Sequence, residues 1–250
     1  MKSPRGRPSL SRLAARLMLC VGLVLAVYSP ATLAYNQNRV ATDASGQSLQ
    51  ISGSVVIVDP DIQLSEVLAG GVQEPRSEWS LAARRLYPAA VHAALSRTGI
   101  RQLPDYDVPD DLPADSRLGQ ILRLNEAVSI SIVAYTSPGN QLATKPGKRL
   151  DWTLGPGVET LQKATGADYA LFTYMRDSYT SSGRKALRVA ALLLLGGDIG
   201  GGRQIGVTTL VDLRTGRVVW FNFLSNQTGD LRDAAGASAT AQRMLKGLPL

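Results

Sequence analysis

Residues 206–224 restrict the fold more than any other part of the chain: two runs rich in β-branched and aromatic residues flank Arg214-Thr215-Gly216. That spacing is the mark of a strand, a tight turn and an antiparallel return strand. A third run, Tyr169-Ala170-Leu171-Phe172-Thr173-Tyr174-Met175, follows a helix predicted over about 157–165 that stops at Gly166. Near the front, Ser54-Val55-Val56-Ile57-Val58 is a short β-branched run closed by Asp59-Pro60, which reads as a buried strand.

Helical spacing begins at Ser77, a candidate cap. It places Trp79, Ala82, Ala83, Leu86, Ala89, Ala90, Ala93 and Ala94 on one face, with Pro88 inside and Gly99 at the end. A second helix is expected from Asp115 or Ser116, carrying Leu118, Ile121, Leu122 and Leu124. Residues 128–133 are β-branched, and helix and strand both remain open there. Residues 64–75 read as a loop, and 230–248 as the last helix. This order predicts an α/β fold, a single mixed sheet with flanking helices and a C-terminal antiparallel meander.

Residues 1–34 have a different character. Lys2, Arg5, Arg7, Arg12 and Arg16 precede an apolar run at 17–27, then Ser29-Pro30 and small residues to Ala34. This is the order of a cleavable secretory signal, with the cut expected after Ala34. The apolar run is about 16 Å long as a helix, short of the ~30 Å hydrocarbon core. The organisation expected is therefore a signal peptide at 1–34, a flexible lead-in at 35–50 and a single α/β domain at 51–250. Five of the 27 basic residues and none of the 20 acidic ones lie in the signal, leaving 22 against 20. A nearly neutral domain gives no argument for nucleic acid. The single cysteine, Cys20, also falls in the signal, so disulfides and thiol chemistry are excluded from the rest.

Two blocks carry a family resemblance. Gly166-Ala167-Asp168-Tyr169-Ala170-Leu171 runs from a helix end into a strand, and Val211-Asp212-Leu213-Arg214-Thr215-Gly216-Arg217-Val218-Val219-Trp220 is a hairpin with Asp and Trp on its arms. With the strand at 55–59, these resemble the α/β domain of bacterial envelope accessory proteins. The group comprises the curli secretion-channel subunit, the penicillin-binding-protein activators and the N-terminal domain of TolB. The resemblance implies a non-catalytic periplasmic protein that binds an envelope partner, and leaves oligomer formation open. Lipid-anchored members carry a lipobox cysteine; here Leu17-Met18-Leu19 precede Cys20 and the apolar run continues past it.

The supply of catalytic residues is thin, and no enzyme and no cofactor is expected. His92 is the only histidine, falls on the polar side of its helix and reads as a solvated surface residue; no Gly-x-Ser-x-Gly elbow is present. Asp59 and Asp61 flank Pro60 at a strand end, where paired carboxylates would serve a metal-assisted hydrolase, the alternative reading. Asp105, Asp107, Asp110 and Asp111 lack the spacing and glycine of a calcium loop. The glycines at 196–202 lack the Gly-Lys-Ser/Thr of a phosphate cradle.

The most unusual segment spans 184–195. Arg184, Lys185 and Arg188 lead into a run holding Leu192, Leu193 and Leu195, too short to span a bilayer. Two readings stand: a docking helix for a protein partner or a membrane surface, or an element packed in the core. A third candidate is a small-ligand or glycan-binding loop with Gly70, Gly71, Glu74, Arg76 and Trp79.

Overall fold

The computed structural model describes residues 35–113, 115–135, 140, 142, 149–195 and 200–250. The expected signal at 1–34 and residues 196–199 of the glycine-rich run lie outside these described residues, as does the Leu195 side chain.

The architecture is α/β, built on a mixed sheet of eight strands that does not close into a barrel. Its strands are β1 (Tyr35–Val40), β2 (Ser54–Ile57), β3 (Asp61–Val67), β4 (Gln73–Pro75), β5 (Arg101–Gln102), β6 (Tyr169–Thr180), β7 (Gln204–Asp212) and β8 (Val218–Ser225). Among the described residues five α-helices accompany it: α1 (Ser77–Leu95), α2 (Arg117–Tyr135), α3 (Glu159–Thr165), α4 (Ser182–Leu195) and α5 (Ala234–Met244). The sheet order is β1-β8-β7-β6-β2-β5, with β3 also on β6 and β4 outside β3.

β6 organises the sheet. One side of it runs antiparallel to β7 along nine register pairs, Tyr169 to Asp177. The other side is shared, because its first residues pair in parallel with β2 and Tyr174 to Thr180 pair in parallel with β3. Pro60, which has no N–H for the ladder, falls between β2 and β3 and marks the break. Neighbouring residues on the central strands enter opposite cores: Leu171 and Phe172, Leu210 and Val211, Trp220 and Phe221. Both faces are apolar because both are covered. α1 and α5 close one, with Tyr87, Val91, Leu95 and Met244 in its core. α2 and α3 close the other through Ile121, Ile132 and Leu161.

Several expectations need correction. Residues 35–40, expected as flexible lead-in, are β1, whose ladder with β8 runs from Tyr35↔Ser225 to Val40↔Trp220. Its polar sequence (YNQNRV) carries no β signal, and the partner strand supplies the structure. Residues 64–75 are not a loop but the end of β3, a turn and β4, with Gly71 at φ +86° in the turn. The buried stripe of α1 is Ala83, Tyr87, Val91 and Leu95, so the helix turns away from its alanine face and leaves Ala89 and Ala93 exposed. Arg76, extended at φ −113°, takes the N-cap position in place of Ser77. Residues 128–133 continue α2, with Asn125, Ser129 and Ile132 buried at helical spacing. α5 starts later than expected, because Asp233 caps it by accepting from the Gly236 N–H at 2.7 Å.

The hairpin turn between β7 and β8 depends on Gly216. Its φ is +74°, its N–H donates to the Asp212 carbonyl at 2.8 Å, and an added Cβ would strike the Gly155 backbone. Gly216→Ala is expected to cost at least about 2 kcal/mol, from the left-handed conformation and the overlap together. A urea-unfolding midpoint close to that of the parent would contradict this account of the turn.

Candidate functional site

At the end of β6 the chain leaves the sheet and rises into α4 before returning as β7. Ser181 caps this helix: its Oγ accepts from the Arg184 N–H at 3.2 Å. The helix leans on the β3–β4 turn through Arg184, whose Nη1 donates to the Ala69 carbonyl at 3.1 Å and lies beside Gly71. Arg188 lies against Gly201, and Ala191 is buried. The rest of the helix is open. Leu187, Val189 and Leu192 are about half exposed, while Leu193 and Leu194 reach 77% and 82%. Of the two readings, the core element is not what the structure has: α4 lies largely on the surface, with Ala191 turned inward. It also separates the basic residues: Arg184 and Arg188 anchor the helix to the body, and Lys185 is exposed.

The candidate ligand loop lies beside the base of α4. A cleft of ≈ 700 Å³ is lined by Trp79, Tyr179, Lys185, Arg188 and Arg232, among others. Trp79 meets Tyr179 edge to face at 5.9 Å, and the Arg232 guanidinium lies over both rings, 4.6 Å and 4.0 Å from their centroids. Asp230 holds that guanidinium with two hydrogen bonds, 2.8 Å and 2.6 Å, and its carboxyl pKa is lowered by them. Arg76 pairs with Glu66 and, at 3.5 Å, with Glu74. Gly70 and Gly71 belong to the turn outside this cluster, with Gly71 against Arg184. Residues that looked like two separate candidates in the sequence are therefore neighbours.

Beneath the cleft lies a buried carboxylate that sequence reasoning missed. Asp177 accepts from the Tyr179 hydroxyl at 2.6 Å, from Gln204 Nε2 at 2.8 Å and from Gln227 Nε2 at 3.3 Å. The Tyr179 oxygen accepts in turn from the Leu231 N–H at 2.8 Å. Burial pushes the Asp177 pKa up to about 6, against the lowering effect of its three side-chain donors. The same burial, with the Asp177 charge beside it, drives the Tyr179 pKa far upward. An Asp late in an apolar strand was the available signal, but the sequence places that strand's end at Met175.

The alternative pair sits elsewhere, in a smaller cavity of ≈ 200 Å³ with Arg84, Arg123 and Glu126. Burial raises the Asp59 pKa, and Arg84 opposes the rise. Asp61 gives both its oxygens to Arg176, each at 2.9 Å, and so is committed to an ion pair. Among the described residues no group of three His, Cys, Asp or Glu side chains stands where it would hold a metal. His92 is not simply solvated: its ring bridges Gln102 Oε1 at 2.6 Å and Asp105 Oδ1 at 2.8 Å, tying α1 to β5 and to the segment after it.

No known family matches this chain, and no curated protein matches it. Among solved structures, a PelC dodecamer from Paraburkholderia phytofirmans overlaps 86% of this chain and 98% of its own at 13% identity, with a TM-score of 0.38. A point variant of that PelC dodecamer overlaps 87% and 99% at 11% identity, with a TM-score of 0.39. Likenesses of this degree assign the chain neither a family nor a role.

The buried carboxylate makes a pH prediction. An acid whose folded pKa lies above its unfolded value holds its proton more tightly in the native state. Its stabilising share is complete below about pH 4 and is lost as pH rises through about 6, roughly 3 kcal/mol in all. Asp177→Asn is expected to flatten the fall in thermal stability across that window; an unchanged profile would mean that Asp177 is not its source.

Proposed function

We propose that this chain is a non-catalytic, exported protein of the bacterial cell envelope that docks on a membrane surface through α4. The observation that carries the reading is the exposed apolar surface of that helix. At 100° per residue, Leu187, Val189, Leu192, Leu193 and Leu194 spread over roughly 220° of its circumference. A partner's groove would cover one face of a helix, typically a stripe a little over 100° wide. A lipid surface is apolar in every direction and accommodates the wider arc.

The helix has no acidic residue, and its basic residues come before the leucine run at 192–195. Lys185 lies about 13 Å before Leu194 along the axis, so the leucine end can enter the acyl boundary with Lys185 at headgroup depth. Fourteen residues make about 21 Å, and no helix among the described residues is long and apolar enough to cross a membrane. The basic, then apolar, then small-residue order of residues 1–34 supports export, with the cut after Ala34. A single histidine and, beyond residue 34, no cysteine support a binding role over an enzymatic one.

Leu193→Glu combined with Leu194→Glu is expected to lower partition onto phosphatidylcholine vesicles at least thirty-fold in co-sedimentation, since two leucines lose their burial. Equal partition of parent and variant would overturn the docking reading. N-terminal sequencing of the exported product is expected to start at Tyr35; an intact Met1 would overturn cleavage.

A further inference from the structure

The polar cleft and the apolar helix surface share two residues. Lys185 and Arg188 line the cleft on one side; on the other, with Val189 and Leu192, they line a shallow groove of ≈ 350 Å³. A molecule lying across them passes from a polar site to an apolar one within a single side-chain width. That is the shape of an amphiphile.

The charges in the cleft indicate which amphiphile. Its lining carries Lys185, Arg188 and Arg232 against Glu66 and Asp230. Both carboxylates are already bound by guanidinium groups, Glu66 by Arg76 and Asp230 by Arg232. Asp177 lies below, buried and enclosed by three donors. Lys185 gives the α4 wall an exposed positive charge, and Thr180 and Ser182 add hydroxyls beside it. Arginine and lysine together with hydroxyl donors suit a phosphate.

We infer that the cleft takes the phosphate-bearing headgroup of an anionic lipid, whose acyl chain follows the flank of α4 past Val189 and Leu192. The inference rests on α4 docking at a membrane and adds a preference among lipids. Arg232, stacked on Trp79 and Tyr179, forms the far wall, so an occupant alters the surroundings of Trp79.

The test uses the purified protein and monomeric dihexanoyl phosphatidylglycerol, kept below its micelle concentration so that no charged surface contributes. A saturable change in tryptophan emission is expected. It should vanish in Trp79→Phe, which identifies its source, and weaken at least ten-fold in Lys185→Glu. Dihexanoyl phosphatidylcholine is expected to bind at least ten-fold more weakly. No saturation with phosphatidylglycerol, equal binding of the two lipids, or indifference to Lys185→Glu would each overturn the site. Glycerol phosphate binding as tightly as the lipid would assign the cleft to a free phosphate and overturn the lipid. The Leu193→Glu, Leu194→Glu variant separates the two proposals. If it keeps the monomer titration within about three-fold while losing vesicle partition, both stand. If vesicle partition is unaffected but the titration holds, docking through α4 fails and the phosphate site remains. If the titration is silent and vesicle partition is lost, the headgroup site fails and docking remains.

Discussion

The twelve-residue strand β6 is the constraint on which the rest of the structure depends. It is longer than β2 or β3, and each takes part of its edge in parallel. That arrangement needs a break between them, and Asp59-Pro60 supplies it. The far half of β6, beyond Tyr174, would have no partner on that side without β3. Its pairing with β3 carries the sheet out to Thr180 and Val67, where α4 and the β3–β4 turn emerge side by side. The length of one strand thus sets the position of α4 and the cleft beside it.

Burial at that end of the sheet has a second consequence. Asp177, Gln204 and Tyr179 face a helix-covered interior and satisfy one another there, because an unpaired polar group in such a place costs one to several kcal/mol. Their network holds Tyr179 in place, and Tyr179 with Trp79 provides the surface on which Arg232 lies. A buried polar core and a ringed, cationic cleft are two sides of one set of contacts. The helix rising beside them is of the opposite kind, with its apolar residues facing out.

Much of this fold was legible in the sequence where local signals agree with burial. The hairpin around Gly216, the strand after Gly166 and the helix after Ser77 are all present, since turn chemistry, period and apolarity coincide in them. The failures fall where a partner, not the segment, decides. β1 is polar and becomes a strand only through β8; β3 is mixed in character and becomes one only through β6. The buried face of α1 differs from the one its spacing predicts because alanines fit many environments, whereas Tyr87 and Val91 fill the groove over the sheet. For the site, residue types in one stretch, such as Arg184 to Leu194, could be noticed in sequence. Their separation into inward arginines and outward leucines is a matter of three dimensions. The nearness of Trp79 to Lys185, about a hundred positions apart, could not be read from the chain at all.

The central claim, that α4 enters a lipid surface by its leucine end, is tested most directly by a spin label at Leu194→Cys. The only natural cysteine lies at position 20, so the exported chain carries the label at one place. On phosphatidylcholine vesicles the label is predicted to become accessible to oxygen and shielded from a water-soluble nickel complex. A label that stays fully accessible to nickel while the protein is bound to vesicles would contradict the account.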